Sequence, residues 1–488
     1  MAFAMKSFRP YLLPILIFFF FLTRLYNLTF LPIFNDEAIY LDWGQRMTSQ
    51  PGLAFYSLYD GKPPLIFWLY GWMNKIIPDP LVAGRVVGIL FGFLAFLGLY
   101  QLGKKLFSFP VSLIPASLYT ITPIFLFFDR QALVESSLVM LSIWLFYFLT
   151  IYFKNKKLWP IVGITLLLIT GLLTKLTVAI FFISTLIVLI LNKTKTKGQI
   201  NKLTALGIIV WFSLFTTVPI LLALLPNFKQ VFILNSRYSL ALSQLSIATL
   251  THNVCNAAQI GLWQLGIPIV LLTILGLWQQ AKEKKWGLIV WILVGISLVV
   301  VSAKQVQPRY LVPVLPLILL MASYGFVFLA HKSKALLLLT SVMFLIPVYI
   351  SFLLLTNPLK YFQFLDQVSP QVSQSSSYVS DITAGYSVNQ VKHFLDRLSK
   401  DGPIYLAFAP NTGNPESALT AYYFGSLNVQ TGYFDLMNLR NSDSLNFDRP
   451  FYYISRQHDI GNYDQYFDKV LTTYNPGKQS WEEVYKYK

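Results

Sequence analysis

Long apolar runs recur along the first three quarters of this chain, at about 10–30, 80–101, 110–128, 133–153, 158–173, 176–191, 203–225, 261–279, 287–303, 309–330 and 335–356. Each is near the length of about twenty residues that carries a helix across a bilayer core. The pattern predicts an α-helical polytopic membrane protein with about eleven transmembrane helices. Only 12% of the residues are charged and mean hydropathy is +0.56, whereas soluble domains carry about a quarter charged residues.

The net charge of +17 follows the positive-inside rule rather than a nucleic-acid footprint. Lys104 and Lys105, Lys154 to Lys157, Lys282 to Lys285, and Lys332 with Lys334 all fall in loops after every second run. The only acid among those loops is Glu283. That face is expected to be cytoplasmic, with the N-terminus on the same side of the plasma membrane. The single cysteine, Cys255, rules out an intramolecular disulfide.

Two parts are expected. Residues 1–356 form the membrane part, with outer-face loops at 31–79 and 226–260. Residues 357–488 lose the long apolar runs and gain Ser, Asn, Asp and Gly. Helical spacing in Val391, Phe394, Leu395 and Leu398, a strand at Ile404–Phe408 and a second near Pro450–Ser455 predict a small extracytoplasmic α/β domain there.

The stretch Phe34 to Met47 begins where the first run ends, so Asp36 and Glu37 stand at the membrane surface. Asn35 is placed to cap a helix whose first turn carries both acids. Against the positive-inside pattern, the outer face keeps Arg46, Lys62, Arg85, Arg130, Lys175, Lys304 and Arg309. Charged groups at such positions are functional candidates. They either snorkel and pair with acids such as Asp129 and Glu135, or jointly form a site for an anionic headgroup such as phosphate. A carboxylate beside cations stays ionised and can accept a proton from an attacking hydroxyl. The histidines (His252, His331, His393 and His458) have no ligand spacing. There is no Asp-x-Asp and no phosphate-binding glycine loop.

Asn35-Asp36-Glu37-Ala38 after the first run, Gly61-Lys62-Pro63-Pro64-Leu65, Asp129-Arg130 ahead of Glu135, and Pro308-Arg309-Tyr310-Leu311 together form a pattern. It resembles that of the dolichyl-phosphate-mannose-protein mannosyltransferase-like group, which includes aminoarabinose transferases and belongs to the GT-C membrane glycosyltransferases. The resemblance implies a GT-C-like fold and an inverting hexosyl or pentosyl transfer from a polyprenyl-phosphate sugar donor, on the outer face, to a lipid, glycan or protein acceptor. It implies Asp36 as base or acceptor-positioning acid, with Glu37 and Glu135 as further catalytic candidates. Glu135 stands where the group usually has aspartate. Lys62 would bind the donor phosphate, with Arg130, Arg309, Asp129 and Tyr40 supporting the pocket. Some relatives hold a metal beside the lysine; Gly61 stands there in this chain, so no metal or other cofactor is expected. A transporter or flippase of lipid-linked or anionic solutes is the alternative. The absence of an internal repeat and the gathering of charge at one face favour the enzyme.

Overall fold

The computed structural model describes residues 9–155, 157–195, 227–440, 447–457 and 460–488, with a few isolated residues between 212 and 225. The run expected at 203–225 falls largely outside them, as does His458.

Among the described residues four helices are long and apolar enough to cross a bilayer: Pro80–Leu106, Glu135–Asn155, Ile247–Lys282 and Lys334–Thr356. Shorter apolar helices (Leu12–Leu25, Trp159–Leu172, Leu176–Leu191, Trp286–Ser302 and Ile318–Lys332) stand with them. The run expected at 110–128 is broken. Val111–Ile121 and Pro123–Asp129 meet at an angle of 65°, at a proline that has no N–H to continue the helical ladder. The Ile247–Lys282 helix is 36 residues long, about 54 Å at 1.5 Å per residue. It outruns the apolar stretch expected at 261–279 and takes up the last part of the second outer loop, from residue 247 on, as helix. A π-helical turn at Ile260–Gly266 marks the join.

The first outer loop is folded rather than extended. The helix Asn35–Ser49 packs across the helix Leu65–Asn74. Their crossing is so close that a Cβ on Gly71 would meet the Gly44 carbonyl, and one on Gly44 the Phe67 carbonyl. Asn35 does not cap the first of these helices. Phe34 occupies the cap position, and the Glu37 carboxylate reaches back to accept its N–H at 3.0 Å.

Beyond residue 357 the chain forms a mixed five-stranded sheet: β1 (Ile404–Phe408), β2 (Val429–Tyr433), β3 (Phe451–Arg456), β4 (Phe467–Tyr474) and β5 (Trp481–Tyr487). The order is β2-β1-β3-β5-β4, parallel from β2 to β3 and antiparallel from β3 to β4. The helix Tyr386–Leu398 buries Val391 and Leu395 against it. The short helix Glu416–Tyr422 packs instead on the Asn35–Ser49 helix. The sheet unit is therefore seated directly on the element that carries Asp36.

Candidate active site

Four charged side chains from distant parts of the chain converge at one end of the spans. Arg309, in the short helix Pro308–Leu311, donates from Nη1 to Asp36 Oδ2 at 2.8 Å and from Nε to Glu135 Oε1 at 3.3 Å. Lys175, between two apolar helices, donates to the same Glu135 oxygen at 3.1 Å. Glu135 is fully buried at the start of its span, and its Oε2 has no partner among the described residues. Asp36, Arg309 and Lys175 each keep roughly a fifth of their side-chain surface open. The Nη2 of Arg309 carries no hydrogen bond among the described residues. The cluster is thus closed on its membrane side by Glu135 and open on the other.

Lys62 stands beside it. Its ammonium lies 5.1 Å from the ring centres of both Tyr40 and Trp43, a cation–π seat, and bonds Asp60 at 2.7 Å. Tyr40 is 3% exposed and serves as the floor beneath this lysine. Gly61 at φ +67 turns the chain here, and its carbonyl accepts from Asn235 at 3.0 Å. The helix Lys229–Asn235, from the second outer loop, packs over this turn through Phe228, Val231 and Leu58.

Electrostatics follow from the geometry. Burial alone would push the Asp36 carboxyl up; Arg309 and then Lys62 outweigh it and hold the group below its usual value. Burial likewise pushes the Lys62 ammonium down, but Tyr40, Asp36 and Asp60 more than reverse this. Both side chains are therefore charged at neutral pH.

The structure does not bring Glu37, Asp129 and Arg130 to this cluster. Glu37 is sealed against Arg85, each 0% exposed, through two bonds of 2.7 and 2.9 Å. Its remaining acceptor capacity is taken by the N–H groups of Ala132 and Phe34. Asp129 pairs with buried Arg24 at 3.2 Å and accepts from Tyr119 and Ser136. Arg130 donates to the carbonyls of Thr23, Arg24, Tyr26 and Asn27, clamping the end of the Leu12–Leu25 helix. Each of these groups spends its polar capacity inside the protein.

Two pairings were not visible in the sequence. Lys175 was visible as an outer cation, but nothing local joins it to Glu135, 40 residues away. Asn414, within Asn411–Pro415, carries no local signal of its role. It is fully buried: its N–H donates to Asn35 Oδ1 at 2.8 Å and its amide to the Ile33 carbonyl at 3.2 Å. Gly413, at φ +99, has no room for a Cβ against the Asn35 side chain. Among the described residues no group of three or more His, Cys, Asp or Glu converges as a metal site.

No curated relative matches the sequence. A family model described as dolichyl-phosphate-mannose-protein mannosyltransferase matches residues 61–220. Among solved structures, ArnT from Cupriavidus metallidurans bound to undecaprenyl phosphate superposes with a TM-score of 0.65 at 12% identity, over 97% of each chain. The apo oligosaccharyltransferase of Archaeoglobus fulgidus gives 0.52 at 12% identity, over 97% of this chain and 74% of its own. The chain is therefore a multi-pass membrane protein of GT-C-like fold that resembles the dolichyl-phosphate-mannose-protein mannosyltransferase-like group.

Proposed function

We propose that this protein transfers a sugar, with inversion, from a polyprenyl-phosphate donor to an acceptor at the outer membrane face. One observation carries the reading: an ionised carboxylate, Asp36, shares a half-open site with Arg309, Lys175 and Lys62 at the membrane boundary. The family match and the undecaprenyl phosphate bound to ArnT support the donor class.

In this reaction the acceptor oxygen attacks the anomeric carbon from the face opposite the phosphate. The bond from that carbon to the phosphate oxygen breaks, and polyprenyl phosphate leaves with the electron pair. Asp36 takes the acceptor proton, or aligns the hydroxyl until solvent takes it. Lys62 and Arg309 stabilise the charge that grows on the leaving phosphate. Glu135 acts one step back: it holds Arg309 and Lys175 in place and offsets the cost of burying them. Glu37, Asp129 and Arg130 are assigned to the scaffold, because each is saturated by internal partners. The gathering of charge at one end of the spans, away from mid-membrane, favours transfer over transport.

The test is label transfer from a panel of radiolabelled polyprenyl-phosphate sugars into native lipid extract by the purified protein. Label moving to lipid, glycan or protein with wild type but not with Asp36→Asn is the expected result, and it names the acceptor class. Movement of the labelled lipid across liposome bilayers without transfer would replace the enzyme with a transporter.

A further inference from the structure

A second charged cavity lies at the far end of the same spans. Its volume is about 420 Å³. Thr150 and Phe153 line it on the helix that begins with Glu135. At 1.5 Å per residue, that places it more than about 20 Å from the Asp36 cluster, close to one bilayer core of about 30 Å. It therefore opens at the opposite membrane boundary. Its walls are apolar, from Leu106, Phe146, Phe153 and Leu288. Its rim is basic: Lys284 and Lys285 line it, while Lys104, Lys105 and Lys154 end the adjoining helices. Glu283, bonded to Lys285 at 2.6 Å, is the acid nearby.

The second observation is Gln280. It is 4% exposed, lines the cavity, and its amide Nε2 has no hydrogen-bond partner among the described residues. A buried amide N–H left unpaired costs about 1–3 kcal/mol, so this donor is set for an acceptor from outside. A cavity with greasy walls, a lysine rim and a waiting donor, at the level of lipid headgroups, matches one ligand chemistry. Basic pockets between transmembrane helices take anionic lipid headgroups in this way.

We infer that this cavity binds the phosphate and upper acyl segment of an anionic phospholipid from the leaflet opposite the Asp36 cluster. The phosphate accepts from Gln280 Nε2 and is neutralised by Lys284 and Lys285, and the acyl chain lies along Phe146 and Phe153. The inference does not depend on the transferase reading, because no residue is shared between the two sites.

The experiment is thermal unfolding of the full chain in neutral detergent, with added phosphatidylglycerol, phosphatidylcholine or inorganic phosphate. Phosphatidylglycerol should raise the midpoint by about 2–5 °C beyond phosphatidylcholine, as a ligand specific to the folded state does. The isosteric Gln280→Glu, which puts an acceptor and a negative charge where the donor was, should remove that difference. Lys284→Asn with Lys285→Gln should at least halve it. Equal effects of the two lipids on wild type, or an undiminished difference in both variants, would overturn the site. Inorganic phosphate reproducing the whole shift would overturn the lipid. Should the variants fail to fold, brominated phosphatidylglycerol reads the cavity through Trp286, which also lines it. The fluorescence that Trp286→Phe removes should be the fraction quenched, and its escape from quenching would refute the inference.

Discussion

Asp36 and Glu37 are consecutive acids on one helix, yet they live in opposite electrostatic worlds. Glu37 is dry and saturated, with Arg85 and two backbone N–H groups filling its oxygens. Asp36 is partly open, bonded to one nitrogen of an arginine that also serves Glu135. A helix turns 100° per residue, which sends one carboxylate into the core and the other to the crevice. The sealed pair resists change; the open one can exchange its partner for a ligand. Burial thus tells these two acids apart where residue type and position in sequence do not.

The sharpest way to break the comparison is to neutralise each acid in turn. Asp36→Asn should lower turnover by about 10²–10⁴-fold, the range for loss of a general base, while donor binding and the unfolding midpoint stay close to wild type. Full activity in that variant would remove Asp36 from the reaction. Glu37→Gln should do the reverse and destabilise by about 3–5 kcal/mol, because Arg85 is left buried without its counter-charge. Unfolding of the variant in detergent or lipid checks this, and a stability equal to wild type would show that the pair is not sealed.

A smaller effect separates binding from chemistry within the open site. Lys62→Ala should weaken affinity for a polyprenyl-phosphate donor about tenfold, the order of one charge-assisted hydrogen bond, and leave the fold intact. Unchanged affinity would make Lys62 an interfacial lysine resting on Tyr40 and Trp43. The smallest effect is in pH. Asp42, farther along the same helix, is pushed up to about 6 by burial, which Arg46 only partly offsets. Its carboxyl is harder to ionise folded than unfolded, so its contribution to stability falls as pH rises from about 4 to about 6. Asp36, held low, contributes with the opposite slope and loses its contribution as pH falls below the ordinary carboxylate range. Asp42→Asn should flatten the first trend and leave the second, as unfolding midpoints across pH will show.

Much of this was legible from the chain alone, for a physical reason. Apolar runs report the membrane directly, and the acids at Asp36 and Glu37 stand out because charge beside such a run needs an explanation. What stayed hidden was pairing. Nothing local to Glu37 announces Arg85, 48 residues on, and nothing local to Asp129 announces Arg24, 105 residues back. A buried ion pair and a catalytic acid look alike until the partner is known. The C-terminal sheet was half visible. β1 and β3 are short apolar strands, whereas β4 and β5 carry Asp468, Lys469, Glu482, Glu483 and Lys486, which mask their alternation. Asn414 gave no signal because its partner, Asn35, lies 379 residues earlier.

That last contact reaches further than its single hydrogen bond suggests. The residue just before Asp36 is gripped by a loop from the opposite end of the polypeptide. The ribosome therefore releases the helix that carries Asp36 without its brace, and the brace arrives only after residue 414 has been made. A membrane half produced by itself would keep the Arg309 bond to Asp36 but lose the grip on Asn35. Co-expressing the two halves as separate chains would restore it only if they dock.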